Sequence, residues 1–247
     1  MTDTASSAPG GLPYREQLEG HLQSLLGEAL PEALERIDLA ALNFLVSGMG
    51  LGRCILDIEQ VSQDLAGLLP LTDPESVEDA IVVRESTVRA MEYIGQILAL
   101  LRDWIRSPEM TPSHTNSIIR ELFHGLNNIF VGINCYAELL LMELREGDSA
   151  YFELRTVLET GGEAARLVRD RATLQRLLNE TEEATPSQRS QRERDVLAML
   201  IDGLCANESD PLVGPRRYRQ EELEVYAGKL PPVEARVLRE AARRMAL

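Results

Sequence analysis

Ile118-Ile119-Arg120-Glu121-Leu122-Phe123-His124-Gly125-Leu126-Asn127-Asn128-Ile129-Phe130-Val131-Gly132-Ile133, continuing through Tyr136 to Leu140, decides the fold. Apolar residues recur at 118, 122, 126, 129, 133, 136 and 140, in steps of three and four. That period belongs to an amphipathic helix, not a strand. The spacing predicts a helix capped by Thr115 or Asn116 and running to about Glu146. At ~1.5 Å per residue it is roughly 45 Å long. Gly147-Asp148-Ser149 then reads as a tight turn, and a return helix follows from about Ala150 to Asn179. A short loop between two long helices makes an antiparallel hairpin.

The same reading extends outward in both directions. Residues 1–13 are small and polar and read as disordered. Residues 14–110 read as a helical region: one helix from Tyr14 to about Leu30, a longer segment from Pro31 to Leu69, and a third helix opened by Asp73-Pro74. Residues 111–185 hold the hairpin described above, with Ala184–Ser190 as a linker. Residues 186–247 hold short helices near 191–206, 219–227 and 232–245. The expected fold class is all-α: antiparallel helical hairpins forming a four-helix bundle, with a small helical C-terminal tail. A shift of 77 residues lays Leu45 on Leu122, Gly48 on Gly125 and Met49 on Leu126, which suggests that the first pair of long helices is a degenerate hairpin related to the second. Ser47 then falls where His124 sits. The bundle closes either within one chain, as a pseudo-dimer, or as a homodimer.

Composition excludes several functions. The 247 residues carry 25 basic and 40 acidic side chains, a net charge of −15 that repels nucleic acid phosphates and anionic membranes. The acidity lies in residues 1–185; the tail is nearly neutral. Lys229 is the only lysine, so neither a P-loop nor a well-placed Schiff-base lysine exists. Cys54, Cys135 and Cys205 are far apart, with no metal-binding pair, and Cys54 and Cys135 are expected to be buried thiols. No signal peptide and no apolar run of membrane-spanning length is evident, so the expected setting is cytoplasmic, with no nucleic acid and no membrane as partner.

The candidate chemistry centres on His124. On a helix its surface neighbours are Glu121 at i−3, Asn127 at i+3 and Asn128 at i+4. An imidazole is a good nucleophile near neutral pH, a carboxylate one turn away can hold the ring, and an amide can orient water or a phosphoryl oxygen. Taken singly, each residue is an ordinary polar side chain on a solvated helix face. His21 and His114 read as surface residues. Gly125 and Gly132 share a face and cost ~1 kcal/mol each against alanine, a cost usually returned by close approach of another backbone.

The run from His124 through Asn127-Asn128 to Ala137-Glu138-Leu139 resembles the phosphoacceptor helix of two-component sensor histidine kinases, and Gly161-Gly162-Glu163-Ala164-Ala165-Arg166-Leu167 is similar to that family's second hairpin helix. The resemblance covers roughly 115–178. It implies a dimerisation and histidine-phosphotransfer hairpin, with His124 as the phosphorylated residue and Asn128 at the place of the amide that helps to dephosphorylate a partner. Gly125 stands where the family has an acidic residue serving autophosphorylation, and the 69 residues after Leu178 are too few for an ATP-binding domain. The chain is therefore not expected to be a kinase on its own. The implied partners are a response-regulator receiver domain or a histidine kinase. No cofactor of its own is implied, and Mg²⁺ would come with the receiver. The alternative is a docking or inhibitory scaffold that kept the bundle and lost the chemistry.

Overall fold

The computed structural model describes residues 12–25, 37–69, 74–106, 113–182, 186–205, 218–230 and 232–246. Among them are eight α-helices and no strand: α1 (Leu12–Leu25), α2 (Leu39–Leu68), α3 (Pro74–Arg106), α4 (Ser113–Glu143), α5 (Ser149–Glu182), α6 (Pro186–Cys205), α7 (Gln220–Lys229) and α8 (Pro232–Ala246). Leu12 and Pro13, expected to be disordered, already belong to α1; the rest of residues 1–13, the expected cap at Asp73 and the end of the first helix near Leu30 lie outside the described residues.

Helices α2 to α5 form an antiparallel four-helix bundle within one chain. Each packs on the next, and α5 closes the ring on α2. Tyr93 of α3 lies against Gly125 of α4, and Ser76 Oγ, at the start of α3, donates to Glu143 Oε2 at the end of α4 (2.5 Å), so the two run in opposite directions. Local chemistry sets the helix ends. Asp38 Oδ1 accepts from Ala41 N at 2.7 Å and caps α2. Asp148 accepts from Arg145 N with its carboxylate at 2.7 Å, and its own carbonyl accepts from Tyr151 N at 3.1 Å, which fixes the turn from α4 to α5. Thr115 and Asn116, the expected caps, lie inside α4, which starts at Ser113. The linker expected over 184–190 is shorter, because α6 starts at Pro186.

Helices α3, α4 and α5 bury a stripe in steps that mostly alternate between three and four, whereas α2 is buried nearly all round. In α4 the buried residues are Ile119, Phe123, Leu126, Phe130, Ile133, Ala137 and Leu140. In α5 they are Ala150, Leu154, Val157, Gly161, Ala164, Val168, Arg171 and Gln175. Alternating steps of three and four average 3.5, the period of a left-handed supercoiled seam. The stripe expected from the sequence mixed this seam with its flanks: Ile118, Leu122, Ile129 and Tyr136 are only half-buried. One layer takes a side chain from each helix. Phe44 stacks on Phe123 (centroids 5.7 Å, planes 22° apart), Trp104 is 6.1 Å from Phe44, and the Arg171 guanidinium sits 4.5 Å above the Phe123 ring and 5.5 Å above Phe44.

Helix α2 is the central helix. Besides α3 and α5 it touches α1, α6 and α8. Buried Glu59 takes Arg15 of α1 at 2.6 Å, Arg53 reaches Glu234 of α8 at 2.6 Å, and Arg244 Nη2 donates to the Ile37 carbonyl at 3.0 Å. By length and composition the stretch Leu39–Gln63 could cross a membrane, which the sequence reading had not expected; 67% of its most apolar window is buried inside the protein. Helices α6, α7 and α8 share a small second core of Leu197, Ile201, Leu223, Leu238 and Ala241. Helices α6 and α8 of this group pack on α2, and Ser47 is only 5% exposed.

Candidate functional site

Position along α4 decides which side chains face out. Gly125 packs on Tyr93 of α3, and Asn134 packs on Gly161 of α5. The outward arc lies between those two flanks. At 100° per residue it carries His124, Asn128, Val131, Cys135, Leu139 and Met142 in nearly one straight line. All six are exposed. Met142 is 84% exposed, and Phe152, just past the hairpin turn, is 64% exposed. From His124 to Met142 the stripe runs about 27 Å at 1.5 Å per residue. Its histidine end is polar and its hairpin end is apolar. Isolated apolar residues on a surface are ordinary; an aligned row beside an exposed imidazole is not.

The four residues singled out from the sequence do not form one bonded cluster. His124, Glu121 and Asn128 are exposed on the outward arc, while Asn127 is half-buried on the flank facing α5. No hydrogen bond joins His124 to Glu121, Asn127 or Asn128 among the described residues. The carboxylate expected to hold the ring therefore does not hold it, and the imidazole stands free to meet an incoming group. Cys135 corrects the sequence reading: it is exposed, midway along the stripe, because it falls on the outward arc and not on the seam. Cys54 is buried as expected, and burial, reinforced by the charges of Glu163 and Asp57, pushes its thiol up to about 12.

Gly125 and Gly132 have different roles. A Cβ at Gly125 would collide with the Tyr93 ring, so this glycine admits a side chain, not a backbone, directly beside His124. A Cβ at Gly132 would meet nothing within 4 Å. Gly125→Leu is expected to lose about 1–3 kcal/mol through overpacking, whereas Gly132→Ala is expected to gain about 0.5–1 kcal/mol from helix propensity alone. Urea unfolding of the two variants checks the opposite signs.

A basic pair lies beneath the histidine end. Arg120 is one turn before His124, on the flank toward α5, and its charge acts on Arg171. Burial first, and Arg120 second, lower the Arg171 guanidinium to about 10, so it remains charged at neutral pH. Sequence reasoning treated Arg120 only as part of the motif and missed Arg171. The signal that could have found it is the seam period, which puts an arginine where an apolar residue belongs. His21, read as a surface residue, is half-buried in a groove of about 430 Å³ between α1 and α3, beside Tyr14, Glu92 and Gln96; burial lowers its pKa, with Arg102 adding to the effect. His114 lies in the first turn of α4, not in a linker. No group of three or more His, Cys, Asp or Glu side chains fit to hold a metal occurs among the described residues.

Comparison of the chain with protein-family models, with curated proteins and with solved structures finds no significant match.

Proposed function

We propose that this chain is a two-component signalling protein, a histidine phosphotransfer module that docks the receiver domain of a response regulator along α4. The observation that carries the reading is the exposed row on one rigid helix, with an unbonded imidazole at its polar end and Val131, Leu139 and Met142 beyond it. The row supplies both a docking surface and a nucleophile at a fixed place on it. In the transfer step an unprotonated ring nitrogen of His124 attacks the phosphorus of the receiver's aspartyl phosphate. The nitrogen–phosphorus bond forms as the bond to the aspartate oxygen breaks, and the carboxylate leaves with the electron pair. The chain's share of the catalysis is positioning. Asn128, exposed one turn after His124, is placed to hold a phosphoryl oxygen or, in a receiver phosphatase, the attacking water. Mg²⁺, supplied with the receiver, would neutralise charge on the phosphoryl oxygens. A cytoplasmic setting goes with this reading.

The test is incubation with a receiver carrying labelled phosphate. Label is expected on the wild type, with none on His124→Ala, whose helix content should be unchanged because the ring is exposed and unbonded. Equal labelling of the two proteins rules out transfer at this site. Binding of the receiver by both proteins without transfer to either would instead favour the docking or inhibitory scaffold.

A further inference from the structure

Arg171 occupies an inward seam position of α5 and is only 8% exposed, yet it carries a full charge. Its Nε and Nη1 are sealed from solvent and have no hydrogen-bond partner. This is unlike the other inward-leaning arginines of the protein: Arg15 pairs with Glu59, Arg53 with Glu234, Arg166 with Glu163 and Arg244 with Glu240. Forty acidic side chains are available in the chain, and none is paired with Arg171 among the described residues. The charge that acts on it is a second cation, Arg120. In the same layer the Asn43 amide donates to the Arg171 carbonyl at 3.1 Å, and its own Oδ1 is buried without a partner. The Phe44 and Phe123 rings offer the guanidinium cation–π contacts, which do not meet the in-plane donors at Nε and Nη1.

A buried charge without a counter-ion is costly, and a guanidinium fork matches the geometry of an oxyanion. We propose that Arg171 and Arg120 form a binding site for a small oxyanion of the phosphate type, between α4 and α5 toward the end of the bundle where α2 begins and α3 ends. The anion accepts hydrogen bonds from the donors of Arg171 that lack partners and offsets the repulsion between the two arginines. The site borders the histidine, since Arg120 is one turn before His124, but it does not depend on whether His124 carries phosphate.

Inorganic phosphate is the probe, titrated into the full chain by calorimetry at constant ionic strength, with chloride as the control salt. The expected result is one saturable site per chain. The thermal midpoint should rise by roughly 5–10 °C at a phosphate concentration a hundred times the dissociation constant, and chloride should not reproduce the rise. Arg171→Met should bind no phosphate and lose the phosphate-dependent rise. Arg120→Gln, which removes a half-exposed charge, should bind roughly twofold to fivefold more weakly and keeps the test decisive if Arg171→Met does not fold. Absence of saturable binding to the wild type overturns the proposal, as does unchanged binding in both variants. A midpoint difference between the wild type and Arg171→Met that is the same with and without phosphate would assign Arg171 to fixing the register of the bundle only, and would equally overturn it.

Discussion

Phe123→Ala is expected to remove about 3–5 kcal/mol of stability, the usual cost of deleting a fully buried aromatic ring. Phe123 has no solvent exposure and sits in the layer that takes one side chain from each bundle helix. The loss has three parts. The ring's own burial is lost, a cavity opens beneath Phe44, and the Arg171 guanidinium loses the nearer of its two aromatic faces, at 4.5 Å. The third part pushes the effect toward the upper end, because the arginine cannot easily withdraw from a seam position. Phe152→Ala is the control: that ring is 64% exposed, and its removal should change stability by no more than about 0.5 kcal/mol. Guanidinium unfolding of both variants provides the comparison. A loss below about 1 kcal/mol for Phe123→Ala would show that the layer is not tightly packed.

The double substitution Leu139→Glu with Met142→Glu is expected to weaken receiver docking by at least about tenfold while leaving the unfolding midpoint nearly unchanged. Both side chains are exposed, 51% and 84%, so folding does not depend on them. Apolar side chains that become desolvated at the centre of an interface carry much of its binding energy, and two carboxylates there would have to be buried or would keep the interface apart. Ile81→Glu places the same charge on an exposed apolar site of α3 and should leave docking unaffected. Titration of a receiver domain at fixed salt reads the difference, and equal affinities for the wild type and the double variant would remove α4's lower half from the docking surface.

The helices were legible because their apolar periods are long and their turn chemistry is explicit. Gly147-Asp148-Ser149 gave the hairpin, and Asp148 does what an aspartate at such a turn does. Rotation about the helix axis was harder to read. Helix α4 carries apolar residues on its seam and on both flanks, so the half-buried Ile118, Leu122 and Ile129 competed with the true seam of Ile119, Phe123 and Phe130. The aromatic positions break the tie, since large rings need the widest space in the bundle. Cys135 was misplaced for the same reason: an apolar neighbourhood in sequence does not say which way a residue points. Of the ridge expected around His124, Glu121 and Asn128 are exposed with it, whereas Asn127 turns to the half-buried flank. Local spacing could not show that the carboxylate leaves the imidazole unheld, because that depends on rotamers. Arg171 lay beyond any motif, since its position becomes odd only once the seam is known.

Because all four strands of the bundle belong to one polypeptide, its core never has to be shared between copies. A lesion such as the loss of an aromatic ring therefore acts first on the packing of the molecule that carries it. The architecture also lets the two hairpins differ. One keeps an exposed outer surface along α4, while the other lends part of its surface to α6 and α8, an asymmetry that two identical subunits could not have.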